Sequence, residues 1–292
     1  MIKNIYKKLT SLHWEIGILD NTYSDIINNC GLNFKLVKHD YPNSWFADPF
    51  ILDVKDGYID VLVEEVIAPD PKGHISKLRI DKNTFKVIDK KIVFENEGHL
   101  SFPVIFRDED RVYVYPENSE TGSLNLYEYD TSSEKLVFKT KIIEKPLTDA
   151  IITDLFDHKY MFATDTSDPN GKKISIYKWN ESTNTFDYDE AYQFNENIAR
   201  MGGDFFIVDG IIYRPAQESN SSYGHGISIQ RVSKKNGLWE FDEIRRLTSP
   251  CKNLGIGFHT LNSYKGCVVV DVKGYRHSLL GPLLTYIRTL LS

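Results

Sequence analysis

One short motif recurs five times along the chain, and it constrains the fold more than any other feature. Each copy places a polar or small residue at the start of a short apolar strand. One marker residue per copy can be chosen, and successive markers stand 55, 46, 54 and 56 residues apart. The markers are Asp48, Pro103, Asp149, Gly203 and His259. A recurrence of about 40 to 50 residues built from strands alone is typical of a β-propeller.

The number of strands in each repeat indicates how the ring closes. Alternation of apolar and polar residues predicts four strands after each of the first four markers. Only two strands follow the last marker, whereas two strands beginning at Trp14 and Phe34 precede the first marker. We therefore predict an all-β, five-bladed β-propeller over residues 1–275, in which residues 14–41 complete the last blade and leave no sheet edge open. A β-sandwich or a partly repetitive solenoid is the alternative.

The C-terminal residues 276–292 follow a helical pattern instead. Their leucines and isoleucine, from Leu279 to Leu291, fall on one face, which predicts a short amphipathic helix. This helix packs on a blade or a neighbouring subunit, or it rests on an anionic membrane surface with help from N-terminal lysines. Those lysines are Lys3, Lys7 and Lys8.

Charge and cysteine content narrow the class of protein. The net charge of −6 offers no broad basic surface, so we expect no nucleic-acid partner. Three cysteines, Cys30, Cys251 and Cys267, share no metal-ligand spacing and cannot all pair, which indicates a reducing compartment. No secretion signal or membrane-spanning stretch is evident. We expect a cytoplasmic protein, with peripheral contact at the inner face of the membrane if the helix rests there.

Polar residues at equivalent strand starts predict a site in the centre of the ring. The innermost strand of each blade begins near the mouth of the central funnel, so side chains at these starts converge. They are Asp48, His99, Asp149, Arg200 and His259. Two carboxylates facing one funnel can act as a base and its modulator, because like charges separate their pKa values. Asp48 before Pro49 can also simply cap a turn.

Further candidates lie at the ends of second strands and in the fourth blade. Glu117 is an acid, a ligand for sugar hydroxyls or a hydrogen-bond acceptor between blades. The fourth blade is the most polar, with Arg200, Asp204, Arg214, Gln217 and Tyr223. The planar fork of arginine suits phosphate or carboxylate, although an Arg–Asp pair joining two blades is the alternative. No set of residues has the spacing of a metal site, and we expect no cofactor.

Several motifs in order resemble a known family. They are Phe46-Ala-Asp-Pro-Phe, His99-Leu-Ser-Phe-Pro, Tyr115-Pro-Glu-Asn-Ser-Glu-Thr-Gly, Asp149-Ala, Arg214-Pro-Ala-Gln, Tyr223-Gly and His259-Thr-Leu-Asn. The set resembles the N-terminal propeller domain of plant glucosamine inositolphosphorylceramide transferases. Free-standing bacterial relatives of this domain tend to belong to surface-polysaccharide synthesis. The likeness covers roughly residues 14–273.

A more distant resemblance is to five-bladed arabinofuranosidases, xylosidases and invertase-like hydrolases. In that group a first-blade Asp is the base or nucleophile, a third-blade Asp tunes and orients, and a fourth-blade Glu is the general acid. Asp48 and Asp149 match the first two, but the fourth blade begins Ala199-Arg200-Met201-Gly202-Gly203 with no Glu. A glycoside needs a proton donor for its leaving group, whereas a sugar phosphate leaves as an anion and needs positive charge.

The residues and the resemblance together predict a glycosyltransferase or related glycan-building enzyme that acts on an activated sugar donor and a glycan acceptor, and the resemblance implies a place in bacterial surface-polysaccharide synthesis. Asp48 is the expected base, and Asp149 orients it or the sugar. Arg200, Arg214 and His259 would hold the leaving group. The predicted ligands for hydroxyls are Glu117, Gln217 and Tyr223. A glycoside hydrolase or phosphorylase with Glu117 as its acid, and a non-catalytic glycan-binding propeller, are the alternatives.

Overall fold

The computed structural model describes residue 6 and residues 9–291, which form five four-stranded antiparallel sheets. Each sheet is one blade of a ring. The prediction of an all-β, five-bladed propeller is confirmed. The predicted membrane contact includes three lysines near the N-terminus, and all three lie outside the described residues. They are Lys3, Lys7 and Lys8.

The elements follow one another in a regular order. The chain begins with β1 (Leu12–Leu19), helix α1 (Tyr23–Ile27) and β2 (Phe34–Leu36). Blade 1 consists of β3 (Ser44–Val54), β4 (Tyr58–Ile67), β5 (Gly73–Asp81) and β6 (Val87–Phe94). Blade 2 consists of β7 (Ser101–Asp108), β8 (Arg111–Glu117), β9 (Leu124–Asp130) and β10 (Lys135–Ile143), with a 3-10 turn at Ser119–Thr121. Blade 3 consists of β11 (Leu147–Thr153), β12 (Tyr160–Asp165), β13 (Lys173–Asn180) and β14 (Thr185–Gln193). Blade 4 consists of β15 (Phe206–Val208), β16 (Ile211–Glu218), β17 (Gly226–Lys235) and β18 (Leu238–Thr248). A 3-10 turn (Lys252–Leu254), β19 (Leu261–Tyr264), β20 (Cys267–Tyr275) and helix α2 (Leu280–Leu291) end the described chain.

Blade 5 is built from both ends of the chain. Its strand order is β19-β20-β1-β2. Strand β1 pairs antiparallel with β20 along its whole length, from Leu12 opposite Tyr275 to Leu19 opposite Val268. This pairing confirms that the N-terminal strands complete the last blade, and it joins the first and last segments of the propeller.

Several hairpins have the turn chemistry that their sequences predict. Asp209-Gly210 and Asn236-Gly237 connect neighbouring strands of blade 4, and Lys265-Gly266 connects β19 to β20. Both residues of each turn have positive φ, between 48° and 81°. Two-residue turns of this kind match the twist of antiparallel strands, and glycine adopts the second position without steric cost.

The inner strands of the first three blades share a bulge at the mouth of the ring. Asp48, Phe102 and Asp149 have φ of 50°, 44° and 46°, and the strand register shifts around each of them. These are therefore the equivalent positions, and the marker in blade 2 is Phe102 rather than Pro103. The sequence alone cannot show this, because the bulge depends on pairing with the second strand.

Each bulged residue donates its backbone N–H to a carboxylate of the preceding blade. Asp48 donates to Asp271 of blade 5 (3.0 Å), and Phe102 donates to Asp48 of blade 1 (3.1 Å). Asp149 donates to Glu117 of blade 2 (3.0 Å). Left-handed backbone is unfavourable for residues other than glycine, so these hydrogen bonds compensate the bulge and tie consecutive blades together.

The C-terminal helix α2 is present as predicted, but much of its apolar surface is solvent-exposed. Its contact with the rest of the described chain includes a hydrogen bond from the Tyr6 hydroxyl to the Leu284 carbonyl (3.4 Å). Arg288 lies over the ring of Tyr6. The exposed apolar side chains at this end are Leu279, Leu280, Leu283, Tyr286, Ile287 and Leu290. Within the described residues, no helix has the length and apolar character needed to cross a membrane.

Candidate functional site

Asp48 lies at the mouth of the ring with one carboxylate oxygen unused. Its Oδ2 accepts the Phe102 N–H, while Oδ1 has no hydrogen-bond partner among the described residues. The side chain is buried. Burial raises the pKa of Asp48 well above its ordinary value, and the charges of Glu64 and Asp149 raise it further. The result is a carboxylate that binds a proton more strongly than an exposed aspartate.

His259 lies between Asp48 and Asp271. Its Nδ1 is 2.7 Å from Asp271 Oδ2, and its Nε2 is 3.7 Å from the free Asp48 oxygen. The imidazole stacks on Trp14, with ring centroids 3.9 Å apart. Because the ring is 1% exposed, His259 has little surface for a leaving group, contrary to its predicted role. It can instead orient Asp48 from one side.

Asp271 holds several parts of this region together. Its oxygens accept the backbone N–H groups of Asp48, His259 and Thr260, and also the Thr260 hydroxyl. Burial alone would raise the pKa of Asp271, but the charge of His259 and these hydrogen bonds together lower it. The sequence pattern did not reveal Asp271, because it lies in the middle of β20 among apolar residues and not at a strand start.

Asp149 is the centre of a second network. Its Oδ2 accepts hydrogen bonds from Arg200 Nε and Gln217 Nε2, both at 2.6 Å. Arg200 also donates through Nη1 to Asn170 (3.0 Å). Burial acts to lower the pKa of Arg200, but the charges of Asp149, Tyr223 and Glu117 and the hydrogen bond to Asp149 together raise it. The predicted alternative of an Arg–Asp pair between blades is thus present, and it joins blades 3 and 4 at the mouth.

Glu117 is a second carboxyl at the mouth whose pKa is raised. Burial raises its pKa well above the ordinary value, and the neighbouring charge of Asp149 raises it further. Asp149 Oδ1 has no partner in the described structure, and a protonated Glu117 is the neighbour able to donate to it. Glu117 accepts a hydrogen bond from the neighbouring blade, which is one of the roles considered for it, and its role as an acid stays a prediction.

The rim of the mouth carries a further acid and imidazole. His99 Nε2 lies 3.0 Å from Glu64 Oε1, and this hydrogen bond raises the pKa of His99. The imidazole is 41% exposed. The charge of Glu64 also acts on the carboxyl of Asp48 and raises its pKa.

Tyr223 shows that these groups surround one space. The charges of Arg200, Asp48, Asp149 and Glu64 all act on its hydroxyl. The side chain is 38% exposed, and the guanidinium of Arg200 lies 5.2 Å from its ring centroid. The structure therefore brings together Asp48, Asp149 and Arg200, which stand at predicted strand starts, with Tyr223 from a loop of blade 4. Their chemical roles remain predictions.

Two predicted ligands lie apart from this space. Arg214 is fully buried inside blade 4, where it donates to the carbonyls of Ile198 and Ala199 and to Gln230. Burial lowers its pKa to about 9. With its donors directed into the blade, Arg214 supports the fold and offers nothing to a ligand.

Asp204 lies apart from these groups. The charged groups acting on it are Arg107, near the end of β7, and Asp154, just after β11. Asp204 is exposed, yet desolvation by the surrounding protein raises its pKa to about 7. The structure thus separates it from the mouth.

One group of possible metal ligands occurs among the described residues. Ligand atoms of Asp48, His259 and Asp271 all lie within 4.8 Å of one another. Both oxygens of Asp271 already accept backbone hydrogen bonds. Hydrogen bonding therefore accounts for this cluster without a metal, and the expectation of no metal stays a prediction.

Comparison with known proteins adds a family. The sequence model described as glucosamine inositolphosphorylceramide transferase 1, N-terminal, matches residues 24–253. The transferase of that name from Arabidopsis thaliana is 28% identical over 200 residues, which cover 65% of this chain and 26% of that protein. The one from Oryza sativa subsp. japonica is 26% identical over 203 residues, covering 66% and 27%. The chain spans about a quarter of the length of these relatives.

Solved structures share the architecture at low identity. A GH43 β-xylosidase/α-arabinofuranosidase from a compost microbial metagenome aligns with a TM-score of 0.52 and 12% identity, covering 79% of this chain and 90% of that one. The RS223 β-xylosidase aligns with a TM-score of 0.52 and 11% identity, covering 80% and 93%. At such identity the likeness shows the fold alone.

Proposed function

Because the chain belongs to the family of the glucosamine inositolphosphorylceramide transferase N-terminal domain, we propose that its funnel transfers a sugar from a phosphate-activated donor to a glycan acceptor. The biological setting we propose is bacterial surface-polysaccharide synthesis. One observation carries the proposal: Oδ1 of buried Asp48 accepts no hydrogen bond from a described residue, and Asp48 lies close enough to the Asp149–Arg200 pair for the charges of both to act on it. The matched residues cover only about a quarter of each relative, so that a transferase activity like the one in their names is proposed for this chain and is not shown.

In the proposed reaction Asp48 removes the proton of an acceptor hydroxyl. The acceptor oxygen attacks the anomeric carbon, the bond from this carbon to the donor phosphate breaks, and the electron pair leaves on the phosphate oxygen. The raised pKa of Asp48 makes it a stronger base, while Asp149, Arg200 and Gln217 form a rigid wall that positions the sugar. A phosphate leaving group needs cations rather than a proton donor.

The experiment that tests this proposal compares the parent with Asp48→Asn against a panel of nucleotide sugars and oligosaccharide acceptors. We expect Asp48→Asn to reduce turnover by about 10²–10⁴-fold, as for loss of a general base. The acid limb of the parent pH profile should lie above the ordinary pKa of aspartate, because activity requires deprotonated Asp48. A suitable control is Asp242→Asn, at an exposed ion pair with Arg231. Equal turnover of Asp48→Asn and parent would remove the assigned base.

A second candidate function is supported by Glu117. The raised pKa of Glu117 favours its protonated form, and that form is the acid that glycoside hydrolysis or phosphorolysis requires. Release of free sugar from aryl furanosides, abolished by Glu117→Gln, would favour this function over transfer. Glycan binding without turnover, unchanged by Asp48→Asn and Asp149→Asn, would favour a non-catalytic propeller.

We also propose that the chain works in the cytoplasm at the inner face of the membrane. The support is the cluster of exposed apolar side chains on α2, including Leu283 and Leu290. Flotation with phosphatidylglycerol-containing vesicles tests the contact, and Leu283→Glu should abolish it while Val137→Glu, at an exposed site on blade 2, should not. Equal flotation of both variants would exclude a contact through α2.

A further inference from the structure

A lysine at the mouth forms no ion pair with a described residue, although the charge of Asp271 acts on it. Lys273 lies in β20 directly opposite Trp14 of β1. Its Nζ is 5.0 Å from the Trp14 ring centroid and 5.3 Å from that of Tyr223. No carboxylate of the described chain lies within ion-pair distance of Lys273, and burial lowers its pKa. The aromatic faces offset part of the cost of desolvating this ammonium group.

A second cation flanks the same tyrosine. The guanidinium of Arg200 lies 5.2 Å from the Tyr223 ring centroid. Its Nε and Nη1 donate to Asp149 and Asn170, so Nη2 keeps its donors for another partner. Lys273 and Arg200 therefore converge on one partly exposed aromatic ring.

The backbone holds this arrangement closely. Tyr223 belongs to the loop between β16 and β17, and the carbonyl of the next residue, Gly224, accepts the Phe258 N–H at 2.8 Å. Gly224 has φ of 63°, and a Cβ built there would lie 2.9 Å from the His259 side chain. Only glycine fits such an approach, so the loop that carries Tyr223 is fixed against blade 5.

We infer that Lys273, Arg200 Nη2 and the Tyr223 hydroxyl form a binding site for a phosphate group of the substrate. The inference deepens the proposed function and rests on it for the identity of the ligand. An ammonium group, a guanidinium and a hydroxyl supply the donors that phosphate oxygens accept. Bound phosphate would also supply an ion-pair partner for Lys273. This site replaces Arg214 and His259 as the groups predicted to hold the leaving group, because both of those side chains are buried.

Two substrates could supply the phosphate, and both share this chemistry. One is the diphosphate of a nucleotide-sugar donor, and the other is the phosphodiester of a phosphoinositide-like acceptor. The site lies beside Asp48, whose negative charge reaches Tyr223. Removing that charge should therefore strengthen phosphate binding even as it removes the proposed base.

The test is an isothermal calorimetric titration of the full chain with inorganic pyrophosphate. We expect Lys273→Met to weaken binding by about tenfold or more, since it removes a charge-assisted contact. The matched control is Lys265→Met, because Lys265 also lies over a tyrosine ring, 5.1 Å from Tyr264, but pairs with Asp53. Lys273→Arg should retain binding. Circular dichroism of each variant verifies that it is folded.

The outcomes separate this inference from the proposed function. Equal affinities of the parent and Lys273→Met, or no binding by the parent at about 10 mM pyrophosphate, would overturn the site. Unweakened pyrophosphate binding by Asp48→Asn, with turnover lost, supports both ideas. Lysine-dependent binding in a parent that transfers no sugar supports the site and rejects the transfer. Competition by uridine diphosphate identifies the donor as the source, and competition by glycerophosphoinositol identifies the acceptor.

Discussion

Replacing Asp271 by asparagine should weaken the fold more than any exposed Asp-to-Asn change. Asp271 Oδ1 accepts the N–H groups of His259 and Thr260, each at 3.0 Å. Its Oδ2 accepts the Asp48 N–H at 3.0 Å and the Thr260 hydroxyl. The side-chain oxygen of an asparagine can still accept the N–H groups of His259 and Thr260. Its NH₂ group then faces the Asp48 N–H, so that two donors meet and neither has an acceptor.

The expected loss follows from these contacts. One buried backbone N–H without an acceptor costs about 1–3 kcal/mol, and loss of the charge weakens the remaining bonds. We therefore expect Asp271→Asn to lower the free energy of unfolding by about 2–4 kcal/mol at neutral pH. Urea unfolding followed by tryptophan fluorescence measures this value. Asp242→Asn is the control, and its exposed pair with Arg231 should contribute less than about 1 kcal/mol.

The pH dependence of this loss tests the same reasoning. The pKa of Asp271 is lowered in the fold, so the carboxylate stabilises the protein above its ordinary pKa of about 4, and this stabilisation disappears as the pH falls through the lower, folded value. The difference between parent and Asp271→Asn should shrink below about pH 4. A difference under about 1 kcal/mol at pH 7, or one that does not depend on pH, would refute the assigned role of the carboxylate.

Three further predictions follow from other contacts. Glu64→Gln should lower the pKa of His99 toward its ordinary value, since the hydrogen bond to Glu64 is the main cause of the raised pKa. NMR titration of the imidazole measures this change, and the control Glu120→Gln should lower the pKa of His99 less. Gly224→Ala should destabilise the fold by about 1–2 kcal/mol more than Gly237→Ala, because both have positive φ but only the former meets the His259 ring; urea unfolding compares them. Arg214→Lys should cost about 2–4 kcal/mol in unfolding free energy, whereas Arg231→Lys on the surface should cost little.

The architecture could be predicted because its signals are local and repeated. Strand alternation, turn residues and the spacing of the strand starts each depend on neighbours in sequence, and they recur in every blade. The closure of blade 5 followed from counting strands, two missing at one end and two spare at the other. The position of the blade 2 marker was wrong by one residue, since Phe102 occupies a bulge that exists only once β7 pairs with β8.

The site could be predicted only in part, because several of its contacts depend on register between distant segments. Asp48 and Asp149 stand at strand starts, where repetition reveals them. Lys273 reaches the mouth because β20 pairs with β1, which sets it opposite Trp14. Arg214 was predicted to bind the substrate, because arginine is rarely buried. It lies in β16, however, which is the second strand of blade 4, and both faces of that strand are covered.

Two carboxyls at the mouth, those of Asp48 and Glu117, both have pKa values raised well above the ordinary range. On one side Asp271 and His259 contact each other, and Oδ1 of Asp48 accepts no hydrogen bond from a described residue. On the other side Arg200 and Gln217 both bind one oxygen of Asp149, and a protonated Glu117 is placed to donate to the other. The proposed base Asp48 together with an acid at Glu117 would suit hydrolysis as well as transfer. Lys273 breaks this symmetry, because an unpaired cation contributes nothing to a neutral leaving group but stabilises a departing phosphate.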